Sequence, residues 1–114
     1  PGEPVEYAPG YSGSGTPGPA YYRKIGRQIE IRGGVVKTSG SFTSTITVVT
    51  GEPLPENCRP STTIARATFG HGLRMGGFQI EPSGHIRVAA GNGVTGSVWF
   101  GLGCTYSIGG IGDE

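Results

Sequence analysis

Ser97-Val98-Trp99-Phe100-Gly101-Leu102-Gly103-Cys104-Thr105-Tyr106-Ser107-Ile108 decides the fold class. Val98, Phe100, Leu102, Cys104, Tyr106 and Ile108 take every even position, and Ser97, Gly101, Gly103, Thr105 and Ser107 take odd ones. Successive strand side chains point to opposite faces, so this period of two reads as one long strand with a single buried face. Trp99 is the one large residue on the opposite face. The rest of the chain agrees. From Tyr21 onward there are nine Ile, seven Val and ten Thr against three Leu, and the longest stretch without Gly or Pro is ten residues, Ser41 to Thr50. β-branched residues punctuated by Gly leave a helix almost nowhere to sit.

Working outward, Arg27 to Val36 reads as a strand with Ile29 and Ile31 on its inner face, and Gly33-Gly34 marks a bulge or a crowded backbone. Ser41 to Thr50 alternates, with Phe42, Ile46 and Val48 on one parity. Gly51 to Pro60 is a Pro-rich connection, Leu54-Pro55 and Arg59-Pro60 bracket its loop, and Arg59 is expected to bond the loop carbonyls. Thr62 to Phe69, Leu73 to Glu81 and His85 to Ala90 are the remaining strands, with Phe78, Ile80, Ile86 and Val88 inward. Gly70-His71-Gly72, Pro82-Ser83-Gly84 and Gly91-Asn92-Gly93 are the turns between them. Strands at about ten-residue spacing predict an all-β antiparallel sandwich or jelly-roll-like barrel.

Of 23 Gly and 9 Pro, five of each fall in residues 1–20, half of that segment. This reads as a Pro/Gly-rich linker over 1–20 before a β-sandwich domain over 21–114, although Tyr7 and Tyr11 are unusual in a pure spacer. A 94-residue body with 18 Gly has a thin core, which favours completion by other subunits. No run of 18 apolar residues is present, so no helix inserts in a membrane, and the first residues lack the pattern of a signal peptide.

Between Tyr21 and Gly112 nine bases, seven of them Arg, face four acids, a net +5. Arg-rich surfaces suit anionic or sugar-rich partners. No basic cluster exceeds Arg23-Lys24, which excludes a nucleic-acid stripe. Glu30, Glu52, Glu56 and Glu81 are the only acids of the body, and there is no Gly-x-Ser-x-Gly elbow or phosphate loop, so no catalytic residue and no cofactor is assigned. Cys58, His71, His85 and Cys104 contain no close pair of the kind zinc sites use, so no metal is assigned either. Cys104 lies on the buried parity of its strand, and the two cysteines read as reduced. The binding candidates are His71 on a turn between two Gly, the nearby Arg74, His85 at a strand start, Asn92 on a Gly-flanked turn, and Trp99.

Five pieces line up in order along the chain: Tyr22-Arg23-Lys24-Ile25-Gly26, Ile29-Glu30-Ile31-Arg32-Gly33, Leu54-Pro55-Glu56-Asn57-Cys58-Arg59-Pro60, Gly77-Phe78-Gln79-Ile80-Glu81-Pro82-Ser83-Gly84-His85-Ile86, and Val98-Trp99-Phe100-Gly101-Leu102. The order resembles the C-terminal domains of bacteriophage tail-fibre, minor tail and receptor-binding proteins, over about Tyr21 to Ile108. Asn57 and Cys58 depart from that pattern, where Gly and an aromatic are common. The resemblance implies a homotrimer at the virion tail tip, made in the bacterial host cytoplasm, associated with other virion proteins and binding a cell-wall or envelope glycan without catalysis. The alternative is a purely structural virion module, such as a capsid decoration or fibre-folding domain. A secreted jelly roll behind a collagen-like stalk is disfavoured, because the Gly period fails after Gly2.

Overall fold

A computed structural model describes residues 2–13, 15 and 18–108. The strands are β1 (Glu3–Pro4), β2 (Tyr11–Ser12), β3 (Tyr21–Ile25), β4 (Gln28–Arg32), β5 (Gly34–Lys37), β6 (Thr47–Val48), β7 (Ile64–Phe69), β8 (Met75–Ile80), β9 (Ile86–Ala90), β10 (Trp99–Gly101) and β11 (Cys104–Ser107). They form three antiparallel sheets ordered β1-β3-β4-β11, β10-β5-β2 and β6-β9-β8-β7. The fold is therefore all-β, and helical hydrogen bonding among the described residues is confined to 3₁₀ turns at Glu56–Cys58 and His71–Leu73. No helix of the described residues is long and apolar enough to cross a membrane.

Two expected long strands are each bent once, and each serves two sheets. Arg27 to Val36 divides at Gly33 into β4 and β5; Val98 to Ile108 divides at Leu102-Gly103 into β10 and β11. The bends coincide because the pairs are in register: β11 lies on β4, β10 lies on β5, and the Leu102 N–H donates to the Gly33 carbonyl at 2.8 Å. At Gly33, with φ +98°, a Cβ would collide with the Pro19 carbonyl, so the crowded backbone read from the sequence is real. From Phe100 onward the parity of the last segment survives its bend, whereas Ser97, expected on the outer face, is fully buried with its Oγ donating to the Trp99 carbonyl at 3.0 Å, and Val98 is half-buried. Phe100, Leu102 and Tyr106 are buried and Cys104 is half-buried.

Ile29, Ile31, Val35, Phe78, Ile80, Ile86 and Val88 fill the core with Phe100 and Leu102 at its centre. Phe42 stacks edge-on to Phe100 at 5.3 Å between ring centroids. Arg59 Nε donates to the Leu54 carbonyl at 2.8 Å, which closes the Pro-bracketed loop as expected.

Two expectations change. In Ser41 to Thr50 only Thr47–Val48 pairs as strand, and the buried residues are Phe42, Val49 and Thr50, whereas Ile46 is 40% exposed and Val48 half-buried. Thr43 bonds β9 through Ala90, and its Oγ1 accepts from the Thr45 N–H, so a bend at residues 44–46 shifts the inward parity by one. The lead, expected as a linker, is paired into the sheets: β1 on β3 and β2 on β5, with Val5 and Ala20 buried in the core. Tyr7 Oη donates to the Gly34 carbonyl and accepts from the Ala20 N–H at 2.8 Å. Residues 109–114, the end of the expected domain, lie outside the described residues.

Candidate functional site

The β7–β8 hairpin ends in Gly70-His71-Gly72-Leu73-Arg74, closed by Gly70 N–H to Arg74 C=O at 2.8 Å and Leu73 N–H to Gly70 C=O at 3.0 Å. Gly70 also forms an antiparallel bridge with Phe100, which seats the tip on β10. The approach is so close that a Cβ on Gly70 would meet the Trp99 carbonyl, and Ser97 Oγ at 2.5 Å. Seating the tip there brings the His71 ring edge-on to the Trp99 indole, with centroids 6.4 Å apart. These residues are 28 positions apart in sequence.

Arg74 turns back over the tip. Its Nη1 donates to the His71 carbonyl at 3.0 Å. A Cβ on Gly96 would lie 3.6 Å from Arg74 Nε and Nη2, so the guanidinium also borders the 91–98 loop. Gly91 N–H donates to Met75 C=O at 2.8 Å, which sets the Asn92 turn at the same end of the molecule. Thus His71, Arg74 and Trp99 come together, with Asn92 nearby; His71, Arg74 and Asn92 are exposed and Trp99 is half-buried.

His85 does not join them. It precedes β9 at the Ile86 end, whereas the tip adjoins the Ala90 end, about 13 Å away along the strand. His85 is half-buried, and its Nδ1 shares a 2.9 Å hydrogen bond with the hydroxyl of buried Thr50. That hydroxyl accepts from the Ile86 N–H at 3.2 Å, which is a packing role for the pair.

Sequence reasoning missed the apolar surroundings of the tip. Phe69, Leu73 and Met75 are 56%, 81% and 55% exposed. Leu73 holds φ +59°, the one positive φ outside glycine among the described residues. Non-glycine residues in this region carry strain that the surrounding structure must hold, and such strain clusters at ligand contacts. The pattern Gly-x-Gly marks the turn, but nothing in it shows that Leu73 is the residue left in the left-handed region.

Among the described residues no group of three or more His, Cys, Asp or Glu side chains could hold a metal ion. Cys58 and Cys104 are both free. Burial pushes both thiols up, Cys104 to about 11, which keeps them protonated near neutrality. The buried Tyr106 hydroxyl donates to the Cys58 carbonyl at 2.6 Å.

No protein-family model matches the chain, and no curated protein matches it. Among solved structures, the chain is similar to the head domain of lactococcal phage bIL170, described among the receptor binding domains of lactococcal phages. The match covers 95% of this chain and 97% of that one, at a TM-score of 0.66 and 19% sequence identity. The two chains share a fold from end to end.

Proposed function

We propose that this domain is the host-recognition module of a phage tail tip, and that it binds a bacterial surface glycan without catalysis. The end-to-end fold match with a phage receptor-binding head domain carries the reading. The tip geometry supports it. Trp99 offers a sugar an apolar face and an indole N–H. Arg74 spends one N–H on the His71 carbonyl and keeps four of its five donors for carboxylate, phosphate or hydroxyl oxygens. Among the described residues no carboxylate pairs with Arg74. Open sites of this kind bind weakly one at a time. A homotrimer, which the thin core favours, would present three copies and gain avidity, because later contacts become intramolecular.

The test is adsorption of the labelled domain to a panel of bacterial cells across a salt series. Binding to a susceptible host, weakened by salt, is expected, because exposed charges are screened. His71→Ala, Arg74→Ala and Trp99→Ala should each reduce it, while His85→Ala alters stability rather than adsorption. If the wild-type domain ignores cells to which the intact virion adsorbs, the host-recognition reading fails and a structural role in the virion replaces it.

A further inference from the structure

The outward face of the β1-β3-β4-β11 sheet carries a second array of recognition groups, on a different sheet from the β7–β8 hairpin that bears the tip. Antiparallel register sets Arg23 opposite Glu30 and Tyr21 opposite Arg32. Alternation sends Ile29 and Ile31 into the core, so Tyr21, Arg23, Glu30 and Arg32 share the outer surface. Arg23 Nε donates to Glu30 Oε1 at 2.8 Å, and Arg32 Nη2 donates to Oε2 at 3.1 Å. Each carboxylate oxygen thus orients one guanidinium. The two arginines hold Glu30 below the usual carboxylate range, Arg32 contributing most, so this arrangement persists through neutral pH.

The array holds more cation than it needs. One carboxylate neutralises one of two guanidinium groups that sit diagonally across neighbouring strands, close enough to repel. Each Arg spends one N–H on Glu30, and four of its five donors remain for other partners. A shallow trough opens beside them, lined by Gly2, Tyr21, Tyr22, Arg23 and Arg32 and by Glu30, whose charge the two guanidinium groups already offset. Tyr21 is 44% exposed and presents its ring to that side of the sheet. On the other flank Gly103 has no side chain, and Thr105, opposite Glu30, supplies a hydroxyl to a second shallow trough. A flat aromatic, two oriented planar forks and a hydroxyl on one rigid sheet face form a platform for an acidic sugar.

We propose that this face is an oxyanion subsite for an acidic saccharide, with a sugar ring against Tyr21 and its carboxylate or phosphate on the unshared N–H groups of Arg23 and Arg32. The proposal deepens the host-glycan reading and rests on it, since it gives the polymer a charge and a second point of attachment. It predicts that neutral glycans are poor ligands and that one acidic chain engages both this face and the hairpin tip.

The test is an amide-resolved NMR titration of the whole domain with three probes of matched length: oligo(glycerol phosphate), oligogalacturonate and a neutral oligogalactoside. An acidic probe should shift amides of residues 21–23 and 30–32, and the neutral probe should not. Shifts with phosphate alone, uronate alone or both support the site and identify the oxyanion. The Arg23→Gln/Arg32→Gln double variant should weaken that binding about tenfold or more, because two charge-assisted contacts are lost. Both side chains are exposed, so circular dichroism and Tm should hold. The proposal is overturned if acidic probes leave these amides unmoved, if the neutral probe moves them equally, or if the double variant binds as well as wild type. The two failures remain separable. A wild-type domain that binds no host cell sinks the host reading, whereas cells that retain both wild type and double variant equally, with no probe bound, sink this subsite alone.

Discussion

Tyr7→Phe isolates the difference between a lead that spaces and a lead that folds. The change removes a single oxygen from residues first read as a linker. That oxygen donates to the Gly34 carbonyl and accepts from the Ala20 N–H, and both Ala20 and Gly34 are buried. Phe retains the ring packing, so the loss is confined to two backbone groups left without a partner. Each such group costs about 1–3 kcal/mol when water cannot reach it. Tyr7 is half-buried, which admits some water and places the expected total near 2–3 kcal/mol. For a domain of this size that lowers Tm by roughly 8–12 °C. On a spacer the same substitution stays within about 0.5 kcal/mol. Thermal unfolding followed by circular dichroism reads the shift, and limited proteolysis reads whether the lead is cut earlier. A Tm within about 2 °C of wild type would refute the docking of the lead onto β5.

Gly70→Ala drives a methyl into the Trp99 carbonyl and Ser97 Oγ, so the hairpin tip must lift from β10. Trp99 emission should shift and cell adsorption should fall with the far-ultraviolet spectrum retained; unchanged emission and adsorption would contradict the seating of His71 beside Trp99. The cysteine thiols give a prediction in alkaline solution. Cys104 rises from 9.0 to about 11 in the folded chain, so its contribution is complete below pH 9 and is lost as pH climbs toward 11. Stability should decline over that window, and alkylation after denaturation without reductant should add two adducts. A mass about 2 Da low with no adduct would reveal a bridge instead.

Much of the fold is legible in residue pattern because a strand displays its two faces at every second residue. The even positions from Phe100 to Tyr106, the pairs Ile29/Ile31, Phe78/Ile80 and Ile86/Val88, and the scarcity of Gly-free stretches all lead to antiparallel β structure with the correct inward faces. Gly33-Gly34 announced the crowded backbone as well. The candidate site was legible only in its members: His71 and Asn92 stand on turns, Arg74 lies close to one, and Trp99 is on an outward parity, as is His85, which the structure sets at the other end of β9.

What the pattern leaves open is decided by contacts between segments far apart in sequence. Period two states which residues point inward, but not where a strand bends to enter a second sheet. That follows from β4–β5 and β10–β11 being paired along their whole length, so that one cannot bend without the other. The lead has too little periodicity to declare itself, and its described residues are held by backbone pairing and by the Tyr7 hydroxyl. The meeting of His71 with Trp99 depends on a glycine at residue 70 small enough to let two backbones touch. Local preference is set by each residue and its neighbours, whereas these choices are set by which backbone groups find partners once the chain is compact.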